Sequence, residues 1–521
     1  MKQFTESRPL RYLLYTLAVM PLFLLRDFSL DNELRYLSIA DEALARGTLF
    51  TFTNHGILYA DKPPLYLWIV MLGKLLLGTH SMLFLGLFSF VPALMILYTM
   101  DQWTRKYLSP PERVTAELLL LTSGFFFGTA IVLRMDMLMS LFIVWALYIF
   151  YRGYKGQARR EDLLLFPLCL FMALFTKGPL GLLIPLLSTS VFLFIRKEVN
   201  TLGRYWGWKT WAILFTLSAL WFLGVYAEGG SAYLQNLLVH QTVGRAVNSF
   251  HHSEPFYYYL PALLYSLAPW SLLVIGVLFM GLKKKLFTSD RELLFLSTAL
   301  STLTALSFFS SKLQVYLVPT FPFFIFLTLL WLKRLGWPHK AYVLIMIPAV
   351  ILCLILPGAA LWPLLADDFT PLLLPAALIL SLTGILTLAY LRHHSMNRAI
   401  QAMASGVLLA VFLASFAIPG YNHLIGMSEL SEKAKEISMQ KGAANYYYCR
   451  ITRADNLDVY LGKELKELHI KDLYQSQEKI KKPAILFIAA RIVNRSDPMQ
   501  RYVQGRPMHR TGKYYCVEID H

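Results

Sequence analysis

Apolar runs of eighteen or more residues recur along most of the 521-residue chain, and they restrict its fold more than any other feature. A helix of that length can cross a hydrocarbon core roughly 30 Å thick. Charged residues make up only 16% of the sequence, against about 25% in soluble domains. The sequence therefore predicts a mainly α-helical, polytopic protein of the lipid bilayer.

Thirteen segments are assigned as transmembrane helices. With this count, the connections on one side of the membrane carry 23 lysine and arginine residues, and those on the other side, leaving out the C-terminal region, carry nine. Because cytoplasmic loops are enriched in these residues, we expect a cytoplasmic N-terminus and, after an odd number of spans, an extracytoplasmic C-terminus. The expected spans lie near residues 10–26, 82–100, 115–133, 135–151, 162–176, 179–195, 209–226, 258–281, 293–310, 313–332, 341–362, 371–391 and 399–418.

Two further segments are expected to lie along the outer membrane surface. Residues 65–77 are too short to cross, and counting them as a span would reverse the charge pattern of every later loop. Residues 33–46 have apolar positions at helical spacing and end at Gly47. The first outer loop is therefore expected to contain two surface helices.

The sequence changes character after residue 420, where polar residues of both charges replace the apolar runs. A helix at 429–440 and strands at 484–490 and 514–519 are expected there. Cys449 and Cys516 could form a disulfide in an oxidising compartment, and the sequence leaves this open. The expected organisation is a transmembrane catalytic domain (1–420), with outer loops at 27–81 and 227–257, followed by a small extracytoplasmic α/β domain (421–521).

The net charge of +17 could indicate a nucleic-acid partner. The basic residues, however, stand in short clusters between apolar runs, and membrane topology explains that distribution better. We therefore expect no nucleic-acid partner.

The first outer loop holds the densest group of polar residues. It contains Asp-Asn-Glu-Leu-Arg-Tyr at 31–36 and Tyr-Ala-Asp-Lys-Pro-Pro at 59–64. A carboxylate such as Asp31 could be the base for an acceptor hydroxyl, and Lys62 could hold a phosphate as a point charge. The alternative is an interface loop with surface salt bridges.

Three ionisable residues lie at the outer ends of predicted spans. Arg134 and Asp136 end one of them, and Lys177 ends another. Such groups are costly at a membrane helix end unless they are paired or hydrated. For the first two, a functional site and a local ion pair are equally compatible with the sequence; for Lys177 alone, a snorkelling lysine is favoured.

The second long outer loop contains Arg245, His251, His252 and Glu254. Two histidines and a glutamate suggest a divalent metal, but the His-His-x-Glu spacing matches no strong metal signature, so we expect no cofactor. Arg245 is the better functional candidate, as a phosphate partner.

Lys312 and Tyr316 are one helical turn apart and can face one anion from the same side. With the topology fixed by charge, all of these candidate groups fall on the outer side of the membrane. Positive side chains and carboxylates gathered there suit an anionic lipid head group at the outer leaflet.

The chain resembles the GT-C glycosyltransferases, the superfamily of aminoarabinose transferases and protein O-mannosyltransferases (glycosyltransferase families 39 and 83). Members have an Asp-Glu-x-Arg-Tyr motif in the first outer loop, followed by a Phe-Glu-Lys-Pro segment. Residues 33–36 match the end of the first motif, and residues 60–65 match the second, with aspartate in place of glutamate. Further similarities are Arg134-x-Asp136, Lys177-Gly178-Pro179, Pro269-Trp270 and Ser311-Lys312-x-x-x-Tyr316-x-x-Pro319.

The resemblance departs from the family at one position. In strict register the family's catalytic aspartate falls on Asn32, and an aspartate stands one residue earlier, at Asp31. A one-residue shift before a helix is easily absorbed by a loop, so Asp31 is favoured in this role. Glu33 in that role, or an inactive enzyme, are the alternatives.

The resemblance implies an inverting transferase that uses a polyprenyl-phosphate sugar as donor and needs no metal. The lipid phosphate would be held as the leaving group, and a carboxylate would orient or deprotonate the acceptor. The implied residues are Asp31, Glu33 and Asp136 for catalysis, Lys62, Arg245, Lys312 and Tyr316 for the donor phosphate, and Asp61, Arg35 and Tyr59 for the sugar.

A glycolipid resembling lipid A is the favoured acceptor, and the inner membrane is the expected location. A protein hydroxyl or another envelope glycan is the alternative acceptor. A transporter or flippase is the alternative of another class, but such proteins commonly show internal repeats and charges at the bilayer midplane, and we see neither in the sequence. A scaffold protein without enzymatic activity is the third possible function.

Overall fold

The structure is a computed structural model, and it describes residues 7–30, 32–238, 254–362, 370–442, 444–475 and 480–519. The chain divides into two compact units. The first unit consists of Met1–Phe23, Ala60–Tyr66 and Leu83–Phe416, and the second of Leu24–Tyr59, Leu67–Met82 and Ala417–His521. Most of the first outer loop therefore falls in the same unit as the C-terminal region, whereas the sequence analysis assigned it to the transmembrane domain.

The first unit is built from helices. In chain order they are α1 (Arg8–Leu25), α4 (Met82–Thr104), α5 (Pro110–Leu121), α6 (Gly124–Ile131), α7 (Asp136–Tyr154), α8 (Asp162–Lys177), α9 (Leu180–Arg196), α10 (Leu202–Tyr205), α11 (Trp208–Gln235), α12 (Tyr259–Ser266), α13 (Ser271–Lys283), α14 (Asp290–Phe308), α15 (Phe321–Arg334), α16 (His339–Cys353), α17 (Ile355–Leu361), α18 (Leu374–Arg392) and α19 (Met396–Ser415). Helices α2 (Glu33–Arg46) and α3 (Leu65–Leu77) come from the first outer loop.

Every predicted span coincides with one of these helices or with a pair of them. Within the described residues, eight helical segments are long and apolar enough to cross a membrane, or ten if each of two bent pairs is counted as one span. Helices α8 and α9 have 16 and 17 residues, which is close to the lower limit for a span. The count of thirteen spans stays a prediction.

Two segments predicted as single spans are broken. Helices α5 and α6 meet at 69°, and the helical segments Phe256–Ser266 and Ser271–Lys283 meet at 119°. The two breaks pack against each other: the indole N–H of buried Trp270 donates to Thr122 Oγ1 (2.9 Å), and the Gly124 N–H donates to the Ala268 carbonyl (2.8 Å). Each break thus supplies hydrogen-bond partners that a buried, interrupted helix would otherwise lack.

A buried ion pair joins the first helix to α5. The Arg11 guanidinium donates to both carboxylate oxygens of Glu117, at 2.9 and 3.0 Å, and both side chains are shielded from solvent. Bidentate geometry of this kind is what makes a charge pair tolerable in an apolar environment. The pair fixes the rotation of α1 against its neighbour.

The second unit contains both helices and strands. Its remaining helices are α20 (Ile418–Ile425), α21 (Ser428–Gln440), α22 (Asp458–Leu461), α23 (Ile470–Gln475), α24 (Ala490–Arg495) and α25 (Asp497–Val503). Its strands are β1 (Thr53–Asn54) and β2 (Ile57–Leu58), which form a short hairpin, and β3 (Asn445–Cys449), β4 (Leu465–Glu467), β5 (Ala484–Ala489), β6 (Met508–Thr511) and β7 (Tyr514–Ile519).

Strands β3 to β7 form one sheet in the order β4-β3-β5-β7-β6. Strand β3 is parallel to β4 and β5, whereas β7 is antiparallel to β5 and β6. All six residues of β5 are buried, which explains its unbroken apolar sequence in the middle of the sheet. The helix and the two strands expected after residue 420 coincide with α21, β5 and β7.

The disulfide between Cys449 and Cys516 does not form, and both cysteines are free. Cys449 lies on β3 and Cys516 on β7, and β5 runs between these strands. Strands two positions apart are about 10 Å from each other, whereas bonded cysteines need Cα atoms within about 7 Å.

The first outer loop is hydrogen-bonded to the C-terminal region inside the second unit. Asp27 accepts from the hydroxyl of Tyr460 and from the backbone N–H of Ser428. Ser38 donates to Asp458 at 2.9 Å. These contacts join segments about 400 residues apart in the chain, and local sequence patterns could not predict them.

Candidate active site

A cavity of about 270 Å³ opens in the first unit. Its polar residues come from the segment before α3, from the C-terminal end of α8, and from the 3₁₀ turn Gln314–Thr320 and the residues just before it. Its walls are mostly aliphatic and aromatic. The lining residues are Ala60, Asp61, Lys62, Pro63, Leu174, Lys177, Gly178, Pro179, Leu180, Leu183, Trp221, Phe222, Leu237, Leu238, Leu306, Phe309, Ser311 and Tyr316.

Lys177 is a central cation of this cavity. Its ammonium is ion-paired with Asp136 and lies 4.8 Å from the centre of the Tyr316 ring. Its side chain is only 6% exposed, so the interpretation as a snorkelling lysine is wrong. Lys177 could have been identified from the Arg134-x-Asp136 pair, because a carboxylate at the end of a membrane helix can bind a second cation besides the neighbouring arginine.

Asp136 binds two cations at once. Arg134 donates from Nε to one carboxylate oxygen at 2.9 Å, and Lys177 contacts the other. The Asp136 side chain is 1% exposed, so substrate cannot readily reach it. Of the two cations that Asp136 binds, Lys177 is the one that lines the cavity.

Asp61 and Lys62 contribute to the same cavity from the segment that precedes α3. Both are partly exposed, and Pro63 and Pro64 follow them directly. Two prolines restrict the backbone at this point and lead into the first turn of the helix. The cavity thus brings together Asp61, Lys62 and Tyr316, which the family resemblance implies for the site, with Lys177, for which the sequence favoured a snorkelling role.

Lys312 lies close in sequence to Ser311 and Tyr316 but does not line the cavity. Its residue surface is 4% exposed, and its ammonium donates to the carbonyl oxygens of Glu254 (2.7 Å) and Phe309 (2.6 Å). In this arrangement Lys312 fixes the backbone around the 3₁₀ turn that carries Tyr316.

Glu33 is at the start of α2, in the second unit. Both of its carboxylate oxygens accept from the Arg26 guanidinium, at 2.8 and 2.7 Å, and one also accepts from the Ser29 N–H at 2.8 Å. The side chain is 1% exposed. This carboxylate holds the segment before α2 in place. Asp31 lies outside the described residues.

Arg35 and Tyr59 are brought together in the second unit. The guanidinium carbon of Arg35 lies 5.3 Å from the centre of the Tyr59 ring and 5.8 Å from that of Tyr36. Its Nε is buried and has no hydrogen-bond partner among the described residues. Stacking of this kind orients a guanidinium while leaving donors for a ligand.

Three residues of the second long outer loop cannot be placed. Arg245, expected to bind phosphate, and His251 and His252, on which a metal site would depend, lie outside the described residues. Within the described part of the chain, no group of three histidine, cysteine or carboxylate residues has the geometry of a metal site.

The curated proteins with similar sequences include undecaprenyl phosphate-alpha-4-amino-4-deoxy-L-arabinose arabinosyl transferases. The one from Pectobacterium atrosepticum is 27% identical over 312 residues, which cover 58% of this chain and 55% of the relative. The one from Pseudomonas fluorescens is 26% identical over 304 residues, covering 56% and 50%. The chain spans about half the length of these relatives, and no family model matches it.

Two solved structures share the fold over nearly the whole chain. ArnT from Cupriavidus metallidurans, bound to undecaprenyl phosphate, has a TM-score of 0.75 at 17% identity, with 98% of each chain covered. Its apo form has a TM-score of 0.76 at 18% identity and the same coverage. The protein is thus a multi-pass membrane protein with the fold of these structures.

Proposed function

We infer that the chain, a homologue of the undecaprenyl-phosphate aminoarabinose transferases with a GT-C fold, is an inverting glycosyltransferase that takes its sugar from a polyprenyl phosphate. The acceptor would be a hydroxyl or phosphate of a glycolipid resembling lipid A, at the outer face of the inner membrane. The observation that carries this inference is the cavity of the first unit, where two lysines and an aspartate lie among apolar walls.

The cavity matches the chemistry of such a donor. A polyprenyl phosphate needs an apolar surface for its chain and cations for its phosphate. Leu180, Leu183 and Trp221 offer the first, and Lys62 and Lys177 the second. Asp61 lines the same cavity, and we assign it to the polar sugar of the donor.

The proposed reaction forms a bond between the acceptor oxygen and the anomeric carbon, and breaks the bond from that carbon to the phosphate oxygen. The bonding electron pair leaves with the phosphate, where Lys62 and Lys177 stabilise the growing negative charge. The acceptor proton passes to a carboxylate when the acceptor is a hydroxyl. Tyr316 and Arg245 complete the proposed donor site, and Lys312 supports it indirectly by holding the backbone around the turn that carries Tyr316. Arg35 and Tyr59 stay the sugar-binding residues that the family resemblance implies.

We assign the acceptor carboxylate to Asp31 in preference to Glu33. Both oxygens of Glu33 are already held by Arg26 and the Ser29 N–H, so this group is poorly suited to take up a proton. Asp136 is likewise occupied by two cations and is assigned to positioning Lys177. Asp31 thus retains the role that the family resemblance gave it.

Mass spectrometry of envelope glycolipids tests the proposal. Cells that produce the wild-type protein should contain a glycolipid one sugar heavier than cells without it, and Lys62→Ala should remove this species. Lys284→Ala, which removes an exposed lysine at the end of α13, is the matched control and should keep it.

Other outcomes separate the alternatives. A sugar found on proteins or on another envelope glycan would replace the proposed acceptor but leave the proposed reaction unchanged. No sugar-modified product of any kind, with the protein correctly inserted, would reject the transferase and favour a transporter or a scaffold.

A further inference from the structure

A second cavity, of about 610 Å³, lies in the second unit and is not used by the proposed reaction. Four basic residues line it: Arg450, Arg491, Arg510 and Lys513. Its lining also includes the buried apolar residues Leu30, Ile451 and Ala489. The cavity therefore combines positive charge with some apolar surface.

Carboxylates of the described residues do not neutralise the four basic side chains that line this cavity. Among the described residues, no aspartate or glutamate lines the cavity, and Arg450, Arg491 and Lys513 form no ion pair. Arg510 donates from Nε only to a backbone carbonyl, that of Gly512. All four basic residues are exposed, so their guanidinium and ammonium groups are accessible to an anion that enters the cavity, and salt should weaken its binding.

The cavity lies where α/β sheets commonly bind ligands. Arg450 directly follows β3, and Arg491 follows β5, so both stand at the carboxyl ends of neighbouring parallel strands. From β3 the chain passes to β4 on one side, and from β5 it passes to β6 and β7 on the other. A crevice at such a point, where the connections leave in opposite directions, is the usual ligand site of an open sheet. This argument from topology is independent of the charges.

The size and lining indicate more than a simple ion. A volume of about 610 Å³ is within the range of small-molecule pockets, which is roughly 300–1,000 Å³. An arginine guanidinium can donate two parallel hydrogen bonds to two oxygens of one phosphate. Thr452 and Asn494 in the lining can form hydrogen bonds with the hydroxyl groups of a sugar.

We propose that this cavity binds a phosphorylated saccharide, either a soluble sugar phosphate or the head group of a phosphorylated glycolipid. In the second case the ligand would be the acceptor, and that version rests on the proposed function. Binding itself does not depend on it, because the cavity belongs to the second unit alone.

The test is a binding measurement with the full-length protein in a neutral detergent. Glucose 6-phosphate is the soluble probe and glucose its uncharged control, measured by titration calorimetry. Diphosphorylated lipid A in phosphatidylcholine vesicles, against its dephosphorylated form, is the lipid probe. We expect the phosphorylated form of at least one pair to bind more tightly, and added salt to weaken that binding.

Variants locate the binding. The double substitution Arg491→Gln with Lys513→Gln should weaken phosphate-dependent binding by about tenfold or more, since it removes two charged donors. Arg495→Gln is the matched control, because Arg495 is exposed on the same helix α24 but does not line the cavity. The two single variants serve if the double variant does not fold.

Each outcome decides the question. Weakened binding of glucose 6-phosphate supports a soluble ligand, and weakened binding of lipid A alone supports a glycolipid head group. Binding that ignores the phosphate, or that is equal in the wild type and the double variant, overturns the proposal. Because the readout is binding and not sugar transfer, failure here leaves the proposed transferase activity untouched, and the reverse also holds.

Discussion

At the scale of single residues, the ion-paired triad of Arg134, Asp136 and Lys177 divides between a positioning residue and a residue that is proposed to meet the substrate. Asp136 is enclosed between the two cations, whereas Lys177 lines the cavity. Removing the carboxylate takes away the counter-charge of Lys177, whose side chain is only 6% exposed, and a buried cation without its counter-charge is costly.

We therefore expect Asp136→Ala to destabilise the protein by about 3–5 kcal/mol and to lower its melting temperature in detergent by several degrees. Asp61→Ala, at a partly exposed cavity residue, should melt close to the wild type yet lose transferase activity. Equal melting of both variants would contradict the positioning role of Asp136.

The two carboxylates around residue 32 should behave differently when neutralised. Asp31→Asn should lower sugar transfer at least about a hundredfold with little change in melting temperature, because it removes the proposed base. Glu33→Gln should mainly lower stability, because it breaks the bidentate pair with Arg26. Transfer assays and melting curves of both variants check this, and the reverse pattern would reassign the base to Glu33.

Asp458 should make the stability of the second unit depend on pH. Burial raises the pKa of Asp458 to about 6, although the nearby His55 and the hydrogen bond from Ser38 oppose this. A carboxyl whose pKa is higher in the folded state stabilises the fold when protonated. This contribution is complete below the unfolded pKa of roughly 4 and is lost as the pH rises through about 6.

Melting curves recorded from about pH 4 to about pH 6.5 test this dependence. The wild type should lose stability as the pH rises through this window, and Asp458→Asn should lose less. Asp497→Asn, at an exposed aspartate of α25, should keep the wild-type slope. The idea fails if Asp458→Asn keeps that slope as well.

At the scale of helices and strands, the paired breaks decide how the first unit is assembled. Thr122 and Gly124 at one break bind Trp270 and Ala268 at the other, so two interrupted helices satisfy each other's polar groups. The length of an apolar segment could not predict these breaks, because a continuous helix and a broken helix can have the same apolar composition.

Trp270→Phe should remove the hydrogen bond to Thr122 and part of the buried ring contacts, because phenylalanine is smaller than tryptophan. We expect a loss of about 2 kcal/mol or more in the free energy of unfolding, measured as a lower melting temperature. Trp208→Phe, at a tryptophan that is 77% exposed, is the control and should have almost no effect. A loss equal to that of the control would show that the hydrogen bond contributes little.

At the scale of the whole molecule, the distribution of charge predicts the orientation in the membrane. The side assigned to the cytoplasm carries 23 basic residues in its loops and the opposite side nine, leaving out the C-terminal region. Alkaline phosphatase folds only outside the cytoplasm, so it should be active when fused after residue 521 and inactive when inserted after Gly156. Activity at Gly156 and not at residue 521 would invert the topology.

The amino-acid sequence by itself determined the class of fold, the positions of the helical segments and the motif residues Asp61, Lys62 and Tyr316. These follow from hydropathy and local spacing, which act over at most a few turns of helix. The strands β5 and β7 could be predicted for the same reason.

Only the tertiary structure decided which distant groups meet. Asp136 and Lys177 are 41 residues apart, and the pair became visible once their helices were packed together. The break at Trp270, the separation of Cys449 from Cys516 by β5, and the basic cavity were decided in the same way. Local patterns carry no information about such contacts, because the free energy that forms them comes from burial and pairing between segments far apart in the chain.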